Sequence, residues 1–175
     1  MTKTILTAAA IMTVVATADA KSLVAYYSRS GNTRTVAEII QKTDGNADIF
    51  EITTADANHY PADYNSAIAV AKSEIENQNW PAVNAAPDLT EYDTIYVGTP
   101  CWWGTMAGPV AAFLDSVDLT DKTVIPFNTH EGSGAGTVHT DIQAKTPNSN
   151  HKPGIAIWGS RATDATDEIK KWLNK

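Results

Sequence analysis

Leu23-Val24-Ala25-Tyr26-Tyr27-Ser28-Arg29-Ser30-Gly31-Asn32-Thr33 is the stretch on which the fold turns. Leu23 to Tyr27 is a short apolar and aromatic run, the pattern of a buried strand. Apolar positions then recur at helical spacing, at Val36, Ile39 and Ile40, so a helix starts near Thr33. A strand that turns this tightly into a helix leaves backbone N–H groups unpaired at the positive end of the helix dipole, where an anion is attracted. The hydroxyls of Ser28, Ser30 and Thr33 add donors, and Gly31 permits the turn.

Spacing restricts the anion. Gly31 is isolated, so the three-glycine fingerprint of a dinucleotide site is absent, and no G-x-x-x-x-G-K-[ST] run exists to cradle a triphosphate. A single phosphate remains, as in a mononucleotide. An ordinary strand-helix turn capped by Asn32 or Thr33 is the competing reading of the loop taken alone.

Outward from this stretch the strand-like runs are Leu23 to Tyr27, Ala47 to Ile52, Thr94 to Val97, Val124 to Phe127 and Ile155 to Trp158. Helical stripes alternate with them: Tyr64, Ile68, Ala71 and Ile75, then Val110, Phe113, Leu114 and Val117, then Val138 and Ile142, and finally Ile169, Trp172 and Leu173. All these stripes read as core. Strands separated by helices imply an α/β fold with a five-stranded, doubly wound parallel sheet, and the order 2-1-3-4-5 places a ligand at the switch point between strands 1 and 3.

The loops at that end of the sheet carry unusual residues. After strand 3 comes Thr99-Pro100-Cys101-Trp102-Trp103-Gly104-Thr105-Met106, whose paired tryptophans can cover a flat conjugated ring. After strand 4 comes Asn128-Thr129-His130-Glu131-Gly132-Ser133-Gly134-Ala135-Gly136, whose alternating glycines let backbone approach a ligand. The three loops together read as a site for a phosphorylated planar ring system.

With these motifs the sequence resembles the flavodoxin-like superfamily, and within it the short-chain flavodoxin-domain proteins. Tyr26 to Thr33 matches a Y-Y-S-x-S/T-G-N-T loop, Pro100 to Met106 a P-x-W-W-G-T-M loop, and Thr129 to Gly134 a T-H-x-G-S-G loop, in that order. The resemblance implies FMN as cofactor. It would place Ser28, Ser30, Gly31, Asn32 and Thr33 on the phosphate. Pro100, Trp102, Trp103, Gly104, Thr105 and Met106 would flank the isoalloxazine, and Thr129, His130, Gly132, Gly134 and Gly136 would hold its other edge. It also implies redox chemistry supplied by the flavin, so no side-chain acid or base is required. An oxidoreductase passing reducing equivalents from a nicotinamide to a quinone-like acceptor is the expected role, with His130 the one candidate for a catalytic part. A one-electron carrier and a flavin-free envelope interaction module are the alternatives.

Composition narrows the partners. Twenty acidic against 13 basic residues give a formal net charge of -7, without the basic stripe that nucleic acid demands. With the redox role that the resemblance implies, the expected partner is a small redox substrate or a redox protein. The four histidines lack metal-ligand spacing, and Cys101, the single cysteine, cannot form an intramolecular disulfide. Lys3, the apolar run Ile5 to Ala16, and Ala18-Asp19-Ala20 have the form of an export signal cleaved after Ala20. The run is shorter than the roughly 20 residues a bilayer span needs. A periplasmic or secreted domain over 21–175 is expected, with no stable membrane span, acquiring any cofactor after translocation.

Overall fold

The computed structural model describes residues 21–174; the expected export signal over 1–20 lies outside the described residues. In chain order the elements are β1 Lys21–Tyr26, α1 Asn32–Asp44, β2 Ala47–Glu51, α2 Tyr64–Asn77, β3 Tyr92–Trp102, β4 Thr105–Met106, α3 Gly108–Ser116, β5 Thr123–His130, α4 Val138–Lys145, β6 Asn150–His151, β7 Ile155–Trp158 and α5 Thr166–Leu173. A 3-10 turn, Gly159–Asp164, links β7 to α5. None of these helices is long and apolar enough to cross a membrane.

The sheet runs β2-β1-β3-β5, all parallel, so the expected order holds. Its fifth position is filled in two pieces. β6 pairs with the start of β5 at Thr123 and Val124, and β7 pairs with its end from Phe127 to His130. Proline explains the break: Pro126 of β5 and Pro153 between the two pieces both lack the N–H a ladder needs.

Side chains of β1 alternate between two cores, as the pleat dictates. Leu23 and Ala25 join Val97, Val110, Phe113 and Ile142 under α3 and α4, while Val24 and Tyr26 join Val36, Ile40, Phe127 and Ile169 under α1 and α5. Burial on both faces is why these strands read as apolar runs rather than alternating ones. Space is tight at the centre: a Cβ at Gly98 of β3 would lie 2.1 Å from the Phe127 ring.

Two elements differ from the sequence reading. The stretch after strand 3 is not an open loop; β3 continues through Trp102 and folds back as β4, pairing Cys101 with Met106 and Trp102 with Thr105. Trp103 and Gly104 form its two-residue turn, with φ of 51° and 84°. Positive φ at both central positions is the type I′ hairpin, which favours Asn-Gly, so tryptophan there costs about 1–2 kcal/mol of backbone strain. The second difference is in α2. Its buried face is Ala67, Ala71 and Glu74, and Tyr64, expected in the core stripe, is 66% exposed. The small residues face inward, and the larger Tyr64 and Ile68 are left beside the hairpin.

Candidate functional site

The C-terminal ends of β1, β3 and β5 open together into a crevice of about 330 Å³. Its walls bring together seven of the residues singled out from sequence: Ser30, Asn32, Thr33, Pro100, Trp102, Thr129 and His130. Arg29, Tyr64, Cys101, Glu131 and Gly159 complete it.

One end is the start of α1. Gly31 is its N-cap at φ 94°, a conformation that glycine adopts without strain, and no side chain among the described residues caps the helix. Ser28 Oγ instead accepts the Gly31 N–H at 3.1 Å and fixes the turn. Thr35 N is the first amide to find a helical partner, Gly31 O, which leaves the N–H groups of Asn32, Thr33 and Arg34 without one among the described residues. An ordinary capped turn would have used a side-chain oxygen there; among the described residues this one leaves three donors uncapped. Behind them the hydroxyls of Thr33 and Thr129 meet at 2.8 Å, tying the first loop to the third. Whichever of the two accepts this bond keeps its own proton free to donate. The chemistry of this donor set fits a phosphate. Glu131 is the one acidic wall residue, and its carboxylate accepts weakly from the Asn32 amide at 3.5 Å, at the exposed rim.

The other end is aromatic. Trp102 stands edge-on to Tyr27, with ring centres 5.6 Å apart, and to Tyr60 at 5.1 Å. Glu74 anchors this group from behind. It is 7% exposed and accepts from Tyr60 Oη at 2.6 Å and pairs with His59 Nε2. A Cβ at Gly108, the first residue of α3, would lie 2.5 Å from the same carboxylate, so only glycine leaves it room. Burial pushes the hydroxyls of Tyr60 and Tyr27 well above the usual tyrosine range, with the Glu74 carboxylate adding to the effect at both. Both rings therefore stay neutral, and Tyr60 remains a donor. Sequence reading, which places Tyr60 to Tyr64 at the crevice wall, does not bring His59 and Glu74 together with Tyr60, since the three follow no periodic pattern.

His130 lies at the mouth. Its Nδ1 accepts the Gly132 N–H at 3.0 Å and its ring stands across Trp158 at 5.3 Å. The neutral ring therefore carries its proton on Nε2, a donor facing outward from the loop's own bond.

The remaining residues singled out from sequence lie outside the crevice walls. Trp103 reaches α2, where its Nε1 donates to Ile68 O at 3.3 Å. Gly104 O accepts from Thr137 N at 2.7 Å, Thr105 Oγ1 donates to Asp141 at 2.5 Å, and Met106 is buried in the core. Gly134 O accepts from the Asn128 amide at 3.1 Å, and Gly136 packs against Gly104. These hold the hairpin and the third loop together. Arg29, on the crevice wall, donates to Pro61 O at 3.1 Å and Ala62 O at 3.3 Å.

Comparison with known proteins gives a consistent picture. The family model described as flavodoxin matches residues 21–175. A solved flavoprotein structure from Bacteroides uniformis is 31% identical, covers 89% of this chain and 99% of its own, and superposes with a TM-score of 0.76. A flavoprotein from Lactobacillus acidophilus, solved in complex with FMN, is 24% identical over 83% of this chain and 97% of its own, with a TM-score of 0.71, and shares the fold. Among curated proteins, one named NAD(P)H dehydrogenase (quinone) from Cupriavidus metallidurans is 35% identical over 95 residues. That match spans 54% of this chain and less than half, 45%, of the relative.

Proposed function

The chain belongs to the flavodoxin family, and from that premise we propose that it binds FMN in the crevice and passes reducing equivalents from a nicotinamide to a quinone-like acceptor. The observation that carries the reading is the uncapped start of α1 sharing one crevice with the Trp102 wall. The N–H groups of Asn32, Thr33 and Arg34, with the free proton of the Thr33–Thr129 pair, would hold the phosphate. Pro100 and Trp102 would lie against the ring system and keep water from it. FMN, when bound, supplies the redox chemistry.

Overall, a reduced nicotinamide, a proton and a quinone give the oxidised nicotinamide and the corresponding diol. The chain's own part is to orient. His130 Nε2–H is available to a carbonyl oxygen of a substrate at the mouth, and the relative named as a quinone-linked NAD(P)H dehydrogenase supports this choice of substrates. The FMN-loaded protein is expected to turn over a nicotinamide with a quinone in steady state. His130→Ala removes one hydrogen bond, about 0.5–1.5 kcal/mol, and should lower kcat/KM by roughly 2- to 12-fold with FMN affinity unchanged. Absence of turnover with either nicotinamide over a range of quinones, together with rapid single-electron exchange with redox proteins, would make the protein a carrier instead. The acidic net charge of -7 is the feature that favours that second reading.

A further inference from the structure

A second cleft, of about 290 Å³, lies between α2 and the β3–β4 hairpin. It adjoins the crevice, since Arg29, Tyr64, Cys101 and Trp102 line both. Its volume is near the lower end of small-molecule sites, which start at about 300 Å³. Three features mark it as built for a flat ligand. Trp103 and Tyr64 line it, although each is more than half exposed. The α2 side is floored by Ala67 and Ala71, whose small side chains leave the space open. Trp103 is fixed in place, with Nε1 bonded to Ile68 O and the Lys72 ammonium 5.2 Å from its ring centre.

The turn itself is the more telling sign. The hairpin tip would form with less strain from Asn-Gly, yet it carries Trp103 at φ 51°. A bulky ring held in a disfavoured backbone conformation, with half its surface in water, serves neither the turn nor the core, and such outliers gather at ligand sites. Charge is local as well. Arg29 at the end of the cleft bonds only the carbonyls of Pro61 and Ala62 through Nη2 and has no carboxylate within ion-pair distance among the described residues. Asp63, the acidic residue whose carboxyl it helps hold low, is engaged in capping α2 through Ser66 N. Lys72 is offset by Glu76 at 3.5 Å, so Arg29 is the cation that remains for a ligand.

We propose that this cleft binds the oxidising substrate, and that this substrate is a planar aromatic compound bearing one anionic group, its rings against Trp103 and Tyr64 and its anion on Arg29. The proposal deepens the reading of a flavin-linked oxidoreductase and rests on it. It separates the acceptor from the mouth beside His130, with Trp102 between, and leaves the His130 Nε2–H to the carboxamide carbonyl of the nicotinamide.

Calorimetric titration of the FMN-loaded full chain with anthraquinone-2-sulfonate tests it, with the FMN spectrum followed throughout. One molecule is expected to bind per chain without releasing FMN, and the neutral analogue 2-(hydroxymethyl)anthraquinone is expected to bind at least fivefold more weakly. Trp103→Asn restores the favoured turn sequence and deletes the ring, so it should fold as well as the parent, keep FMN and lose at least tenfold in affinity for the sulfonate. Release of FMN by the sulfonate, loss of FMN from Trp103→Asn, equal affinity of parent and variant, or no binding at millimolar probe would each overturn the proposal. Titration of the cofactor-free protein keeps the two readings apart: failure to take up FMN there refutes the flavin reading, whereas failure to bind the sulfonate refutes only the cleft.

Discussion

Riboflavin is expected to bind this protein about a thousandfold more weakly than FMN. The two ligands differ by one phosphate, and the phosphate's place is the start of α1, where Gly31 stands at the N-cap and no side chain among the described residues closes the helix. Hydrogen bonds to a charged group contribute about 1.5–3 kcal/mol each, so two such bonds from the donors of Asn32, Thr33 and Arg34 amount to about 3–6 kcal/mol, or roughly two to four decades in Kd with a thousandfold in the middle. Thr33 adds to this through its pairing with Thr129, both hydroxyls being almost fully buried. Fluorescence titration of the cofactor-free protein with each flavin reads the ratio directly. Equal affinities would mean that the start of α1 does not receive the phosphate.

Gly136→Ala is expected to destabilise the fold by about 3 kcal/mol, the upper range for overpacking a close contact. Gly136 has φ 53°, and a Cβ built on it would sit 2.1 Å from the carbonyl oxygen of Gly104. The obstruction is backbone, which cannot rotate aside as a side-chain end would. Relief requires the third loop to part from the hairpin, and that breaks the bonds from Thr137 N and Oγ1 to Gly104 O. Urea denaturation compares the two proteins. Gly134→Ala, also at positive φ but with open space around the Cβ position, should cost about 1–2 kcal/mol, the usual penalty of a left-handed alanine. Equal losses in the two variants would show that the contact with Gly104 is unimportant.

What was legible in the sequence followed from one-dimensional patterns with one physical cause. The central strands β1, β3 and β5 read correctly because burial on both faces makes parallel strands apolar, whereas the more exposed β2 and β7 read from their β-branched and aromatic residues. The strand, the glycine turn at Gly31 and the helix after it read correctly because they must follow each other in the chain. Partners distant in the chain could not be read that way. Trp102 and Trp103 are neighbours in sequence, yet a two-residue turn sends Trp102 to Tyr27 and Tyr60 and Trp103 to α2. The pair looked like one feature and is two. In α2 the helical stripe through Tyr64, Ile68 and Ala71 had the right period and the wrong phase. What overrode it is the burial of Glu74, made tolerable by Tyr60 and His59 and by the missing side chain of Gly108, none of which a hydrophobic pattern records. The division of the fifth strand into β6 and β7 depended on two prolines facing one ladder, which only the register reveals.

The account's central claim is that one crevice, at the ends of β1, β3 and β5, takes the whole cofactor with its phosphate on α1. Amide chemical-shift mapping of the isotope-labelled protein during FMN titration addresses it most directly. The predicted result is a contiguous set of large shifts at Gly31 to Arg34, at Cys101 and Trp102, and at Thr129 to Glu131, with none at Ala86 to Leu89, which line a separate pocket formed with Ser116 to Asp118. Shifts centred on that second surface, or saturating FMN binding that leaves the amides of Asn32 and Thr33 unmoved, would contradict the claim.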